Sequence, residues 1–282
     1  MLKFKRLNVA ALHNITTKLF WKFKIKRIDS HTQRILGKIK DRQAYGLASH
    51  FVKYFPRIKF YKYEFRFGPP YWADSMNHPC GDVRLAIVDK NKLKDFENID
   101  YKKILSGEGL TLEEINILKN REPEGWIHLK FAKHPKTGRA IYIIGAQGKI
   151  GSIAQLREFS SVAGEPWVNF LVKSLILPAY SADFERIYFM KTSRLPSFIK
   201  EKEDAKYWQR VLRRHRKEGA VSDDNLSQSG GRLRSYRNIL NTMGTLHGYV
   251  KKNCHFDIDA GDYWGLDVKK WLEEWGKELK KH

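Results

Sequence analysis

Apolar residues recur at Ile35, Ile39, Leu47, Phe51 and Phe55, close to helical spacing, between Ser30, a capping residue, and the helix-ending Pro56. This predicts a helix from Ser30 to about Phe55 with a basic outer face. In Arg57 to Phe67 (RIKFYKYEFRF) the period changes to two. Tyr61, Tyr63, Phe65 and Phe67 share one face, and Lys62, Glu64 and Arg66 the other. The expectation is a strand with an aromatic core side and a solvent-exposed basic side, stopped by Gly68-Pro69-Pro70. Val83 to Val88 reads as a second strand, and Thr111 to Glu114 has the capping-box spacing of a short helix to about Asn120.

Trp126 to Ala132 alternates Ile127, Leu129 and Phe131 with polar positions, and HPKTGR joins it to the apolar run Ala140 to Ala146, predicting a hairpin. Ser152 can start a helix ending near Gly164. Pro166 opens another toward Ser181, which Pro178 is expected to bend or shorten. Glu185 to Met190 returns as a strand. Ser222 to Gly231 (SDDNLSQSGG) reads as a flexible surface loop between helices Ser197 to Glu218 and Arg232 to about Lys252, and a last helix spans Asp267 to Lys281. The expected class is α+β, a central mixed, largely antiparallel sheet flanked by helices. A basic helical region 1–56, a sheet core 57–192 and a helical region 193–282 pack as one unit.

At 282 residues, 42% apolar and 13% aromatic, the chain can bury a core, which argues against a wholly disordered polypeptide. Cys80 and Cys254 are the only cysteines. That excludes a disulfide-dense secreted scaffold and points to a reducing, cytoplasmic setting. No apolar run approaches the ~18 residues of a membrane span. Residues 1–28 lack Asp and Glu, as transit peptides do, but Lys dominates and Trp21 and Phe23 sit among the basic residues.

Charge changes the picture most. Lys and Arg number 53 against 31 Asp and Glu, a net of +22. Residues 1–66 hold 17 basic residues against Asp29, Asp41 and Glu64, and Arg210 to Lys252 holds ten against Glu218, Asp223 and Asp224. Such a surplus attracts polyanions, nucleic acid first. An anionic lipid surface is the other candidate, but the first 28 residues form no clean amphipathic face. The expected interface comprises Lys22, Lys24, Lys26, Arg27, Lys38, Lys40 and Arg42 in the N-terminal region. Arg210, Arg213, Arg214, Arg216, Lys217, Arg232, Arg234 and Arg237 form a second anchor. Basic and aromatic residues interleave in Phe20 to Arg27, Arg57 to Phe67 and Tyr207 to Arg216. That composition suits phosphate contacts combined with base stacking on RNA or DNA, with little sequence preference.

Gly145 to Ser152 (GAQGKIGS), a glycine turn between strand and helix, could seat a pyrophosphate through Gly148, Lys149, Gly151 and Ser152. The order hairpin, glycine turn, helix, helix, strand over residues 126–190 resembles the core of GNAT-type acyltransferases. That resemblance implies an acyl-coenzyme A type cofactor at this turn and an acceptor near His128 or Glu165. Measured from Gln147, the loop glycines stand at 148 and 151, where that family's loop places small residues at 150 and 152. The same stretch also resembles VirK/YbjX-type bacterial proteins, which implies a related α/β fold and no catalytic residue. His78, Cys80, Cys254 and His255 could in principle ligate zinc, but Cys254 and His255 are adjacent, and ordinary buried cysteines are the expectation. Asp257, Asp259 and Asp262 could hold Mg²⁺ on a strand, yet Gly261 and Gly265 favour a polar loop. A nuclease set drawn from Asp82 and Asp100-Tyr101-Lys102 is a further alternative.

Overall fold

A computed structural model describes residues 28–68, 81–93, 123–149, 152–218 and 223–279. Lys22, Lys24, Lys26, Arg27, Gly151, Cys80, the Thr111 helix and the Asp100 segment lie outside them. The described residues form seven α-helices and one eight-stranded mixed sheet, an α+β fold.

The helix expected over 30–55 is two helices, α1 (Ser30–Leu36) and α2 (Arg42–Tyr54). Asp29, not Ser30, caps α1, its carboxylate accepting from the Thr32 backbone N–H at 2.9 Å. Asp41 caps α2 by accepting from the Ala44 N–H at 2.8 Å. The apolar spacing spans the break because both helices bury one side, Ile35, Leu36, Leu47, Phe51 and Val52 among them.

The strand expected over 57–67 is a tight hairpin of β1 (Lys59–Phe60) and β2 (Tyr63–Gly68), turning at Tyr61 in the left-handed region with φ 52°. Tyr63, Phe65 and Phe67 enter the core as expected. Tyr61 does not, and the opposite side is not a solvent-exposed basic face. Glu64 is buried there and draws the Arg57 and Arg66 guanidinium groups onto it.

β3 (Val83–Asp89), β4 (Gly125–His134) and β5 (Gly138–Gly148) continue the antiparallel sheet. The β4–β5 turn requires glycine at 138, where φ is 69° and a Cβ would lie 2.4 Å from Glu185 Oε1. From β5 the chain passes through α3 (Ile153–Ala163), closed by left-handed Gly164, and α4 (Trp167–Ser181) to β6 (Arg186–Met190), which pairs parallel to β5. Pro178 is buried in the last turn of α4 and does not shorten it. Next come α5 (Pro196–Glu218), α6 (Asp223–Asn253), β7 (Ile258–Ala260), β8 (Tyr263–Asp267) and α7 (Val268–Leu279). The sheet order is β1-β2-β3-β4-β5-β6-β8-β7.

The helices whose ring contacts are resolved load one sheet face. Phe51 of α2 meets Phe131 and Phe184, Phe159 and Phe170 meet Phe60 and Phe65, and His247 of α6 meets Phe189. Strand alternation sends Glu64, Arg84, His128, Tyr142 and Tyr188 to the other face.

The loop expected at Ser222 to Gly231 is overturned, because α6 runs helical from Asp223 through Gly230 and Gly231. Its sheltered positions, Leu226, Ser229, Leu233, Tyr236, Leu240, Met243, His247 and Val250, alternate three and four apart, and Ala205, Trp208, Leu212 and His215 of α5 do the same. That is the seam of a two-helix coiled coil. It outweighs the helix-breaking composition, since packing of an apolar stripe supplies most helical stability.

Candidate nucleic-acid interface

α5 leaves the sheet through the 3₁₀ turn Thr192–Arg194 and packs chiefly on α6 and on that turn. Its 23 residues extend about 35 Å at ~1.5 Å per residue. The helical pair is therefore an arm rooted where α6 returns to α4 and Phe189.

On α5, Lys206, Arg210, Arg213 and Lys217 are exposed and follow one another at helical spacing, a single cationic stripe with Arg214 and Arg216 beside it. Arg232, Arg234 and Arg237 are exposed on α6. At the end of α5 away from the sheet, Arg213, Arg214, Arg216 and Lys217 line a shallow groove. The negative end of the α5 dipole eases this crowding of like charge. Arg232 lies over the Trp208 ring, and Tyr207, 52% exposed, stands beside it.

Body cations are treated differently. Lys62 pairs with Glu158, Lys92 with Glu124, Lys173 with Glu165, Arg186 with Asp267 and Lys191 with Asp259. Among the described residues, Arg210, Arg213, Arg216, Lys217, Arg234 and Arg237 have no carboxylate partner. These paired body cations contrast with the arm, whose stripe carries no such pairs among the described residues. Lys38, Lys40 and Arg42 are exposed too, but they sit on the α1–α2 connection and the start of α2, whose main packing is on β4 and α4. The structure does not bring them into the arm's stripe.

The glycine turn after β5 is built around a buried carboxylate. Ser152 Oγ donates to Glu124 Oε2, Lys92 Nζ donates to Glu124 Oε1 at 2.8 Å, and the Lys149 backbone N–H donates to the Glu124 carbonyl at 3.0 Å. Ser152 is 2% exposed. A Cβ at Gly148 would lie 2.8 Å from Leu156 Cδ1, so any larger residue there must displace the Leu156 side chain. A phosphate at this turn would meet a carboxylate where the loop was expected to offer a hydroxyl. His128 accepts from Trp126 Nε1 at 3.0 Å, and burial, with the Arg84 charge opposite it, pushes its imidazole down to about 3. Such a group is a weak base at neutral pH. Glu165 is held by Lys173 at 2.7 Å.

Asp257 to Asp259 do not form a plain loop, because β7 pairs with β8 around left-handed Gly261. The carboxylates diverge to separate cations, Asp257 to Lys270, Asp259 to Lys191 and Asp262 to Arg194. Asp82 accepts from the Phe131 N–H at 2.6 Å. Cys254 is buried, as expected of an ordinary core cysteine, and burial pushes its thiol up to about 12. Among the described residues no group of three His, Cys, Asp or Glu side chains converges as a metal site, and no helix is long and apolar enough to cross a membrane.

The residues that sequence reasoning missed lie on the sheet face away from α2 and α4. Tyr142, Tyr188 and Tyr263 form one cluster, with Tyr142 stacked on Tyr188 at 4.9 Å and edge-on to Tyr263 at 5.3 Å. The signal was present in the strand alternation, where Tyr142 occupies the outward phase of an otherwise apolar run. Comparison of the chain with family models, curated proteins and solved structures finds no match.

Proposed function

We propose that this protein binds RNA or DNA through the phosphate backbone, with the α5–α6 arm as the principal contact and the basic residues of the N-terminal region as a second anchor. The observation that carries the reading is the segregation of charge. Several body cations are matched by carboxylates, whereas among the described residues the arm's stripe from Lys206 to Lys217 has no carboxylate partner and runs along about 17 Å of the helix. A row of cations at that length can follow several successive phosphates, and counterion release then supplies affinity without reading bases.

Fluorescence anisotropy against labelled polynucleotide tests this. Neutralising six to ten phosphates implies a fall in affinity of roughly 10³ to 10⁵ between 50 and 200 mM salt. Replacing Arg210, Arg213, Arg216 and Lys217 with Gln should weaken binding to all sequences alike and flatten the salt slope. The same change at Lys22, Lys24, Lys26 and Arg27 tests the N-terminal anchor. Absent or salt-insensitive binding overturns the reading.

A second reading is an acyltransferase-like enzyme with an acyl-coenzyme A type donor. It is favoured by the parallel β5–β6 pair, whose pairing ends at Ile143 and Phe189 while β5 continues to Gly148. The Ser152–Glu124 bond stands against a phosphate at the adjoining turn. A thermal shift with acetyl-coenzyme A but none with polynucleotide would select it.

A further inference from the structure

We propose that the tyrosine cluster of Tyr142, Tyr188 and Tyr263 is a stacking platform for the unpaired bases of a single-stranded nucleic acid whose phosphates run onto the arm. The inference rests on the nucleic-acid reading and names its substrate class.

The platform is built by register. Tyr142 on β5 pairs with Tyr188 on β6, Tyr188 with Gly265 on β8, and Met190 with Tyr263, so three rings from three strands meet on one face. Gly265 leaves room for the Tyr188 ring, since a Cβ there would press on Tyr188 Cε1 at 3.1 Å. Tyr188 lies across that glycine, is braced by the His134 ring at 5.5 Å and lies 3.3 Å from Thr137 Oγ1 through its hydroxyl. It is buried, whereas Tyr142 and Tyr263 are partly exposed. Fixed, partly exposed rings lose little freedom when a base stacks on them, and every base offers a π-face.

Charge and position name the occupant. Lys130 is exposed and directly opposite Tyr142 in the β4–β5 register, and it forms no ion pair among the described residues although its charge acts on Asp82. Beyond Met190, β6 leads through the 3₁₀ turn into α5, whose cationic stripe begins at Lys206, about 15 Å along the helix, so the strand that carries Tyr188 runs on into the arm. A duplex keeps its bases stacked internally and offers such rings only its backbone. A single strand can give its bases to the tyrosines and its phosphates to Lys130 and the arm.

The test measures binding of the full chain to labelled oligothymidylate, oligouridylate and a duplex of equal length. Tyr142→Ala and Tyr263→Ala are expected to lower affinity for both single strands by roughly 5- to 150-fold each while leaving the duplex unchanged, with Tyr→Phe restoring binding. Tyr180→Ala, an exposed tyrosine on α4, should change nothing. Loss confined to one oligonucleotide identifies which polymer the platform takes. Equal loss on single strand and duplex, or no loss, overturns the inference while leaving the arm's role standing. Failure of the unaltered chain to bind any of the three overturns the nucleic-acid reading itself. Should the alanine variants misfold, photocrosslinking of the unaltered protein to 4-thiouridine oligonucleotide decides. Adducts at Tyr142 or Tyr263 support the platform, and adducts confined to the arm overturn it.

Discussion

The guanidinium of Arg232 on α6 lies 4.5 Å from the centroid of the Trp208 ring on α5. This cation–π contact joins the two helices of the arm at the middle of their seam, with Leu212 and Leu233 on either side.

Trp208→Ala removes that contact and the widest ring of the seam, at a cost of about 2 kcal/mol, less than for a fully buried Trp because Trp208 is partly exposed. The loss should be local. In hydrogen exchange, amides of α5 and the first half of α6 should lose protection while β4, β5 and α4 keep theirs. Uniform loss across the sheet would show that the arm is not a separate cooperative unit.

The arm also shows where local sequence signals mislead. Ser, Asn, Asp and Gly between residues 222 and 231 signal a loop, and a loop is what those residues favour in isolation. The three-four seam from Leu226 to Val250 was equally present in the sequence, and tertiary packing against Trp208 and Leu212 decides for helix. The β4–β5 hairpin, both helices that follow and β6 were legible because period and punctuation agree there, with Gly138, Gly164 and Pro166 at the breaks. The buried Glu64 was not legible, since its partners Arg57 and Arg66 make the segment look uniformly basic. Of the candidate interface, the cationic stripe could be read from composition. Strand alternation marks Tyr142 as outward-facing, but its meeting with Tyr188 and Tyr263 was not legible, because those rings come from strands separated by both helices and the arm.

Gly231, Gly244 and Gly248 occupy exposed positions inside α6, and a Cβ on any of them meets nothing within 4 Å. Alanine at each should therefore stabilise the helix by about 0.5 to 1 kcal/mol through a less flexible unfolded chain. Gly231 and Gly248 lie more than four helical turns apart, so their effects should add. Urea midpoints read at 222 nm should rise for each variant. A fall would mean that the arm needs its glycines for a close approach absent from the described residues.

Cys254 is buried, with its sulfur 4.0 Å from the Asn169 carbonyl oxygen, and its thiol is pushed up to about 12 by burial. Since the thiolate is the reacting species, native protein should leave Cys254 unmodified by a disulfide reagent at pH 8, and modification should follow unfolding by denaturant. Peptide mapping after alkylation distinguishes it from Cys80. Rapid native labelling at Cys254 would mean that the α4–α6 packing opens readily.

His247 couples the foot of the arm to the sheet and should make that joint sensitive to acid. Its ring meets Phe189 at 4.7 Å, and burial lowers its pKa to about 4 against the usual 6.5, with a backbone bond at Met190 opposing part of the shift. Because the folded value is the lower one, the unfolded chain takes up the proton first. The neutral-state stability is complete above pH 6.5 and is lost as pH falls toward 4. Below that both states are charged and the loss stops growing. At ~1.4 kcal/mol per pH unit the loss is about 3 kcal/mol. His128, lowered to about 3, acts in the same direction over a slightly wider range, so His247→Leu should remove only its own share of the slope. Urea unfolding at pH 7 and pH 4.5 measures it. The variant should lose less stability than the unaltered chain between those pH values, and an identical loss in both would remove His247 as the acid-sensitive group at the root of the arm.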